Sequence, residues 1–202
     1  MAFNPLTALE EATLDHIRTL TDCEIHVYVT EDGGSVLDVT VTPAAEGHLS
    51  PKVASLLDGG QKVRLLHNHP SGGSLSDTDW PALARYFGML EIVAVTPNGS
   101  IFRGKVEHDF QAVALKKLLV NIEDAFNHMS SMITVPNISM ADPSLLVDAQ
   151  RLPFAFISYR FYELGHVDYD QSLSYQDKWA MAGVQDQPIK KMWRDFLKKI
   201  WP

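Results

Sequence analysis

Val63-Arg64-Leu65-Leu66-His67-Asn68-His69-Pro70, continued by Ser71-Gly72-Gly73-Ser74-Leu75-Ser76-Asp77-Thr78-Asp79, places two imidazoles, a hydroxyl and a carboxylate between residues 67 and 79. The apolar run before His67 has strand character, and residues two apart on a strand point to one face, so both rings can reach one ion. Pro70 and the pair Gly72-Gly73 end the strand in a turn. Ser76 and Asp79 have the spacing of a helix start, where a hydroxyl and a carboxylate tie up free N–H groups. The same helix can bring Asp79 back over the histidines. His67, His69 and Asp79 then make a three-ligand set for Zn2+ with the fourth position left to water, which is the stoichiometry of a catalytic rather than a structural site. Capping and ligation are compatible, because a cap holds Asp79 still.

At these positions the chain resembles the JAMM (MPN-type) metallopeptidases, whose signature is His-x-His-Pro, a short spacer, then Ser-x-x-Asp. The wording His67-Asn68-His69-Pro70-Ser71-Gly72 is most similar to the bacterial RadC branch and to the JAB domains of phage and bacterial proteins. The resemblance spans roughly residues 20 to 105 and implies an α/β fold, a cytidine-deaminase-like mixed sheet flanked by helices. It also implies a glutamate on an early strand that acts as general base. Glu24 stands there, opening the run Glu24-Ile25-His26-Val27-Tyr28-Val29-Thr30, with Glu31 at the following turn and Glu46 in a loop as alternatives. The implied reaction is hydrolysis of an amide by a Glu-activated, zinc-bound water. The Ser76 hydroxyl would donate to the oxyanion, a contribution of about 2.7–4 kcal/mol for one well-aimed group. The implied enzyme is a peptidase or isopeptidase acting on a protein or peptide, next to the C-terminus of a ubiquitin-like modifier. Two other classes share the motif: a RadC-like DNA-associated protein, and a non-catalytic phage or toxin-system assembly module.

Charge bears on that choice. Seventeen basic residues face twenty-five acidic ones among 202, a net charge of −8. Nucleic-acid binders carry a basic footprint, because neutralising phosphates supplies much of their affinity, and the motif-bearing half has none. The pairs Lys116-Lys117, Lys190-Lys191 and Lys198-Lys199 read as solvated helix faces. No apolar stretch approaches the roughly 20 residues needed to cross a bilayer, and the N-terminus lacks the form of a secretory signal. Cys23 is the single cysteine, so no intrachain disulfide can form. It reads as a buried small hydrophobe in a reducing, cytoplasmic setting.

Outward from the motif, Leu6 to Leu20 have helical spacing, Glu24 to Thr30 and Ser35 to Thr42 a hairpin pattern, and Ser50-Pro51 opens a helix running to Leu57. A helix containing Trp80, Leu83, Ala84 and Phe87 follows the motif, then strands at Glu91 to Thr96 and Ser100 to Arg103. Residues 1–106 are thus expected to form the metallopeptidase domain, and 107–202 a mostly α-helical extension. In the extension, Phe110 to Phe126 trace one long stripe broken near Pro136. Further helices are expected around 144–150, 154–164, 175–182 and 189–200. His108, His128 and His166 read as ordinary surface or core.

Overall fold

The computed structural model describes residues 3–42, 49–106, 109–133, 152–178, 181 and 188–202. Glu46, His108, the segment 144–150, the break at Pro136 and part of 175–182 lie outside these residues. Thr7 opens α1 (Ala8–Ile17) through a capping box: the Glu10 amide donates to Thr7 Oγ1 at 3.2 Å and the Thr7 amide to Glu10 Oε2 at 2.8 Å. Then come β1 (Glu24–Thr30), β2 (Val36–Thr42), α2 (Pro51–Asp58), β3 (Val63–Asn68), α3 (Asp79–Arg85), β4 (Met89–Val95) and β5 (Ile101–Lys105). The second half supplies α4 (Asp109–Leu119), α5 (Ile122–Ser131), α6 (Pro153–Glu163), β6 (Asp168–Ser172) and α7 (Pro188–Ile200). Among the described residues the strands form one mixed sheet in the order β2-β1-β3-β4-β5-β6, antiparallel except for the β3–β4 pair. The α/β class expected from the alternation of elements is therefore present.

Period-two alternation sorts the strand residues between two cores. Val27, Val29, Leu66, Val93 and Val95 face α1 and pack with its Leu14 and Ile17. Tyr28, Val63, Leu65, Ile92 and Ala94 face the other way. They join a larger core with Val53 of α2, Trp80 of α3, Leu115 of α4, Ile157 of α6 and Trp193 of α7. The expected division near residue 106 does not coincide with any break in this core. The C-terminal region also contributes β6 to the sheet edge, a strand its sequence hides. Asp168-Tyr169-Asp170-Gln171-Ser172 has no run of apolar residues, and its extended form is fixed by pairing with β5 and by the burial of Tyr169.

Other expectations shift at their ends. The stripe from Phe110 to Phe126 is two helices, separated where Asn121 leaves helical geometry at φ −111° and ψ 10°. α3 stops at Arg85, so Phe87 lies outside it and is 63% exposed. Cys23 is half-buried rather than buried. Gly104 of β5 is needed for close approach: a Cβ there would lie 2.5 Å from Leu75 Cδ1 and 2.7 Å from Trp80 Cη2. No helix among the described residues is long and apolar enough to cross a membrane.

The α1 face of the sheet carries a chain of buried ions. Glu10 of α1 meets Arg64 of β3 at 2.7 Å, Arg64 meets Glu91 of β4 at 2.9 Å, and Glu91 meets Arg103 of β5 at 2.6 Å. Removing one member of a buried set strands the others without solvent. Arg64→Met should therefore lower the urea-unfolding free energy by about 3–5 kcal/mol. A loss under about 1 kcal/mol, the range of exposed pairs, would show that the network does not hold α1 to the sheet.

Candidate metal centre

His67 is the last ring-bearing residue inside β3, and in the antiparallel β1–β3 pairing it stands opposite His26. Glu24 and His26 are two apart on β1, so their side chains share the face of His67. His69 follows the end of β3, where its amide donates to the Val95 carbonyl at 2.8 Å. Gly72 and Gly73, at φ 76° and 110°, then turn the chain in a left-handed conformation that suits glycine. The turn returns it to Ser76 and to Asp79, the first residue of α3.

Side chains from these elements converge. His67 Nε2 lies 2.7 Å from His69 Nε2, 3.2 Å from Asp79 Oδ1 and 3.9 Å from Glu24 Oε1. His69 Nε2 is 3.4 Å from Asp79 Oδ2. Glu24, His67 and His69 each offer a ligand atom, all within 4.8 Å of one another, and so could hold a metal ion. Asp79 supplies a second carboxylate against the same two nitrogens. All five residues singled out in the sequence are thus brought together; Glu31 instead pairs with Lys62 at 3.3 Å in an exposed ion pair.

The donor set fits a cation. The Gly73 carbonyl sits 3.2 Å from His69 Nδ1 and can only accept, so a neutral His69 carries its proton on Nδ1 and presents the Nε2 lone pair inward. His67 also points Nε2 inward, while its buried Nδ1 has no hydrogen-bond partner among the described residues. Two imidazole nitrogens at 2.7 Å, flanked by two carboxylates, need positive charge between them. A shared proton or a metal supplies it, and two neutral imidazoles with two carboxylates suit a divalent ion.

Burial and charge set the protonation states in opposite directions. Complete burial pushes the His67 pKa down, against the pull of Asp79. For His69 burial also acts downward, but the hydrogen bond and charge of Asp79, with Glu24 and the Gly73 carbonyl, outweigh it and the net shift is up. Burial works to raise the Asp79 pKa, yet the two imidazoles hold it well below the usual carboxylate range. Glu24 is likewise raised by burial and lowered by more through its His26 hydrogen bond and the imidazole charges, so it stays ionised.

Neighbouring groups fix these side chains. Ser76 donates to Asp79 Oδ2 twice, from its amide at 2.7 Å and from its hydroxyl at 2.8 Å, leaving Oδ1 towards His67. Thr78, not Ser76, is the N-cap of α3, and its side chain makes no cap bond. The Ser76 hydroxyl proton is thus committed to Asp79, so the hydroxyl holds that carboxylate rather than facing into the cleft as an oxyanion donor would. Asn68 points to the opposite face from His67, accepts from the Ile25 amide at 2.6 Å and donates to the Leu20 and Cys23 carbonyls at 2.6 and 2.9 Å. It clamps the segment entering β1 just where Glu24 stands. His26 Nε2 lies 3.0 Å from Glu24 Oε1. His26 was overlooked in the sequence, although its position two residues along the same strand was signal enough. From the C-terminal half, Tyr169 Oη bonds Ser74 Oγ at 2.8 Å and Trp80 Nε1 donates to Ser158 Oγ at 3.1 Å, tying both ends of the motif loop.

Comparison with protein-family models, with curated proteins and with solved structures returns no match.

Groups that orient metal ligands typically change affinity by about 10–100-fold when removed. Ser76→Ala should weaken metal binding by that order in a chelator-competition titration, because Asp79 keeps only the amide bond. Asn68→Ala should leave His67 and His69 able to bind metal but loosen the Glu24 segment, seen as faster amide exchange at Ile25. Unchanged metal affinity in Ser76→Ala would show that the Ser76 hydroxyl does not orient a group that binds the metal.

Proposed function

We propose that the protein is a zinc-dependent amide hydrolase of the JAMM type, a peptidase or isopeptidase with His67, His69 and Asp79 as metal ligands and Glu24 as base. The observation that supports this reading most is the unequal treatment of the two carboxylates around one imidazole pair. Asp79 has one oxygen held by two donors from Ser76 and the other 3.2 Å from His67, the posture of a fixed ligand. Glu24 stands farther back, 3.9 Å from His67, and is tethered through His26 at 3.0 Å. Zinc, when bound, supplies Lewis acidity that brings the pKa of a water towards neutrality and polarises a carbonyl.

The chain's own residues do the rest. Ionised Glu24 accepts a proton as water adds to the amide carbonyl, then delivers that proton to the nitrogen as the carbon–nitrogen bond breaks. His26 keeps the Glu24 carboxylate aimed into the site. His67 is completely buried, and water reaches the site from the open side, where a cleft of about 610 Å3 runs past Glu24 and His69.

Glu24→Gln separates the roles, since the amide is isosteric but cannot accept the proton. Purified protein should carry about one zinc per chain, and Glu24→Gln should keep it while hydrolysis of a peptide or ubiquitin-like fusion falls by about 10²–10⁴-fold. Loss of zinc in that variant would make Glu24 a ligand, and unchanged turnover would remove it as the base.

A further inference from the structure

The cleft beside the candidate metal centre has a wall that the motif does not supply. Phe126 of α5 and Phe154 of α6 line it together with Glu24, His69 and the Gly72-Gly73 turn. Their rings are stacked, with centroids 4.2 Å apart and planes 13° from parallel. Both are half-buried and packed against the main core, so the pair is a fixed surface. We propose that this pair selects a large apolar or aromatic residue next to the amide to be cut. This rests on the amide-hydrolase reading.

Three features argue for such an occupant. A stacked pair presents a broad apolar face, and a third ring or a branched aliphatic side chain gains both buried area and favourable ring geometry there. The same cleft is lined by Gly72 and Gly73, whose lack of side chains lets a substrate backbone approach closely. The cleft lining among the described residues holds Glu24 and Asp77 but no lysine or arginine, so a phosphate-bearing or acidic ligand meets like charge. An extended, uncharged peptide segment with one large apolar residue satisfies all three. A small-residue tail such as Gly-Gly would leave the aromatic wall uncovered.

The test uses the whole chain and measures binding apart from turnover. Acetylated, amidated fluorescent hexapeptides of Gly and Ser, with Phe, Leu, Ala or Gly scanned through each position, are titrated by anisotropy against zinc-loaded and metal-free Glu24→Gln protein. Hydrolysis of the same peptides is followed with the wild-type chain. Phe- and Leu-containing peptides should bind about tenfold more tightly than the Gly controls, the scale of one well-packed aromatic contact. Phe126→Ala and Phe154→Ala should abolish that difference while zinc content holds, with a lower melting temperature from the lost packing against the core. Phe126→Leu and Phe154→Leu keep apolar volume should the alanine variants fail to fold. They should retain a preference for Leu while losing the added preference for Phe.

Equal binding across the panel, or a preference that survives in both alanine variants, would overturn the selection. An apolar preference in binding with no peptide hydrolysed would count against the hydrolase reading and leave the selection by Phe126 and Phe154 in place.

Discussion

The alternation of side chains along β3 is the constraint on which the site depends. β3 runs between β1 and β4 with every residue buried, so neither face can tolerate a misplaced polar group without a partner. In that register His67 enters the large core while Asn68 enters the α1 side and Arg64 joins Glu10 and Glu91. A slip of one residue would send the imidazole into the α1 core and strand three polar groups. The pairing His26↔His67 across β1 then places Glu24 near the two imidazoles. Adjacent residues of one strand thereby do two jobs: His67 enters the cluster that could hold an ion, and Asn68 holds the backbone that carries Glu24.

Convergence of this kind is expensive in the absence of a cation. His67 is fully buried, and its Nδ1 gives up hydration without gaining a partner among the described residues. Asp79 compensates electrostatically, which is why its carboxyl is held far down although burial acts the other way. Metal binding would draw on the same free energy that folds the loop, because the ligands come from β3, the turn and α3, which are assembled only in the folded chain. The two Ser76 donors cancel part of the charge on Asp79 Oδ2 and leave Oδ1 towards His67. The Ser76 hydroxyl holds the Asp79 carboxylate, because a serine three residues before an aspartate at a helix start is within reach of it.

The sequence made some of this legible and concealed the rest for physical reasons. His67, His69 and Asp79 were readable because their relation is local: a strand period and a helix start fix it over a short span. Glu24 was readable only through resemblance, since its nearness to His67 comes from antiparallel pairing between distant segments. His26 could have been found from the strand period alone. Asn68 could not, because its three hydrogen bonds go to backbone atoms whose positions no side-chain pattern encodes. β6 escaped because edge strands can be short and polar, with pairing to β5 in place of hydrophobic alternation.

The two halves of the chain meet at the candidate metal centre. The loop from Pro70 to Thr78 has few apolar residues of its own, and its glycines favour no single conformation. It is held from outside by the Tyr169 hydroxyl on Ser74, by Ser158 on Trp80, and by Gly104, whose missing side chain leaves room for Leu75 and Trp80. Tyr169 and Ser158 belong to the C-terminal half, as do Phe126 and Phe154. The same packing that keeps Asp79 in place therefore also sets the distance between the aromatic wall and Glu24. Side chains on α5 and α6 can vary the shape of the cleft without touching His67, His69 or Asp79, whereas loss of the helical half would free the loop that leads into Asp79. A rigid helical layer sharing one core with the sheet is thus part of the site, and the metal motif alone does not define it.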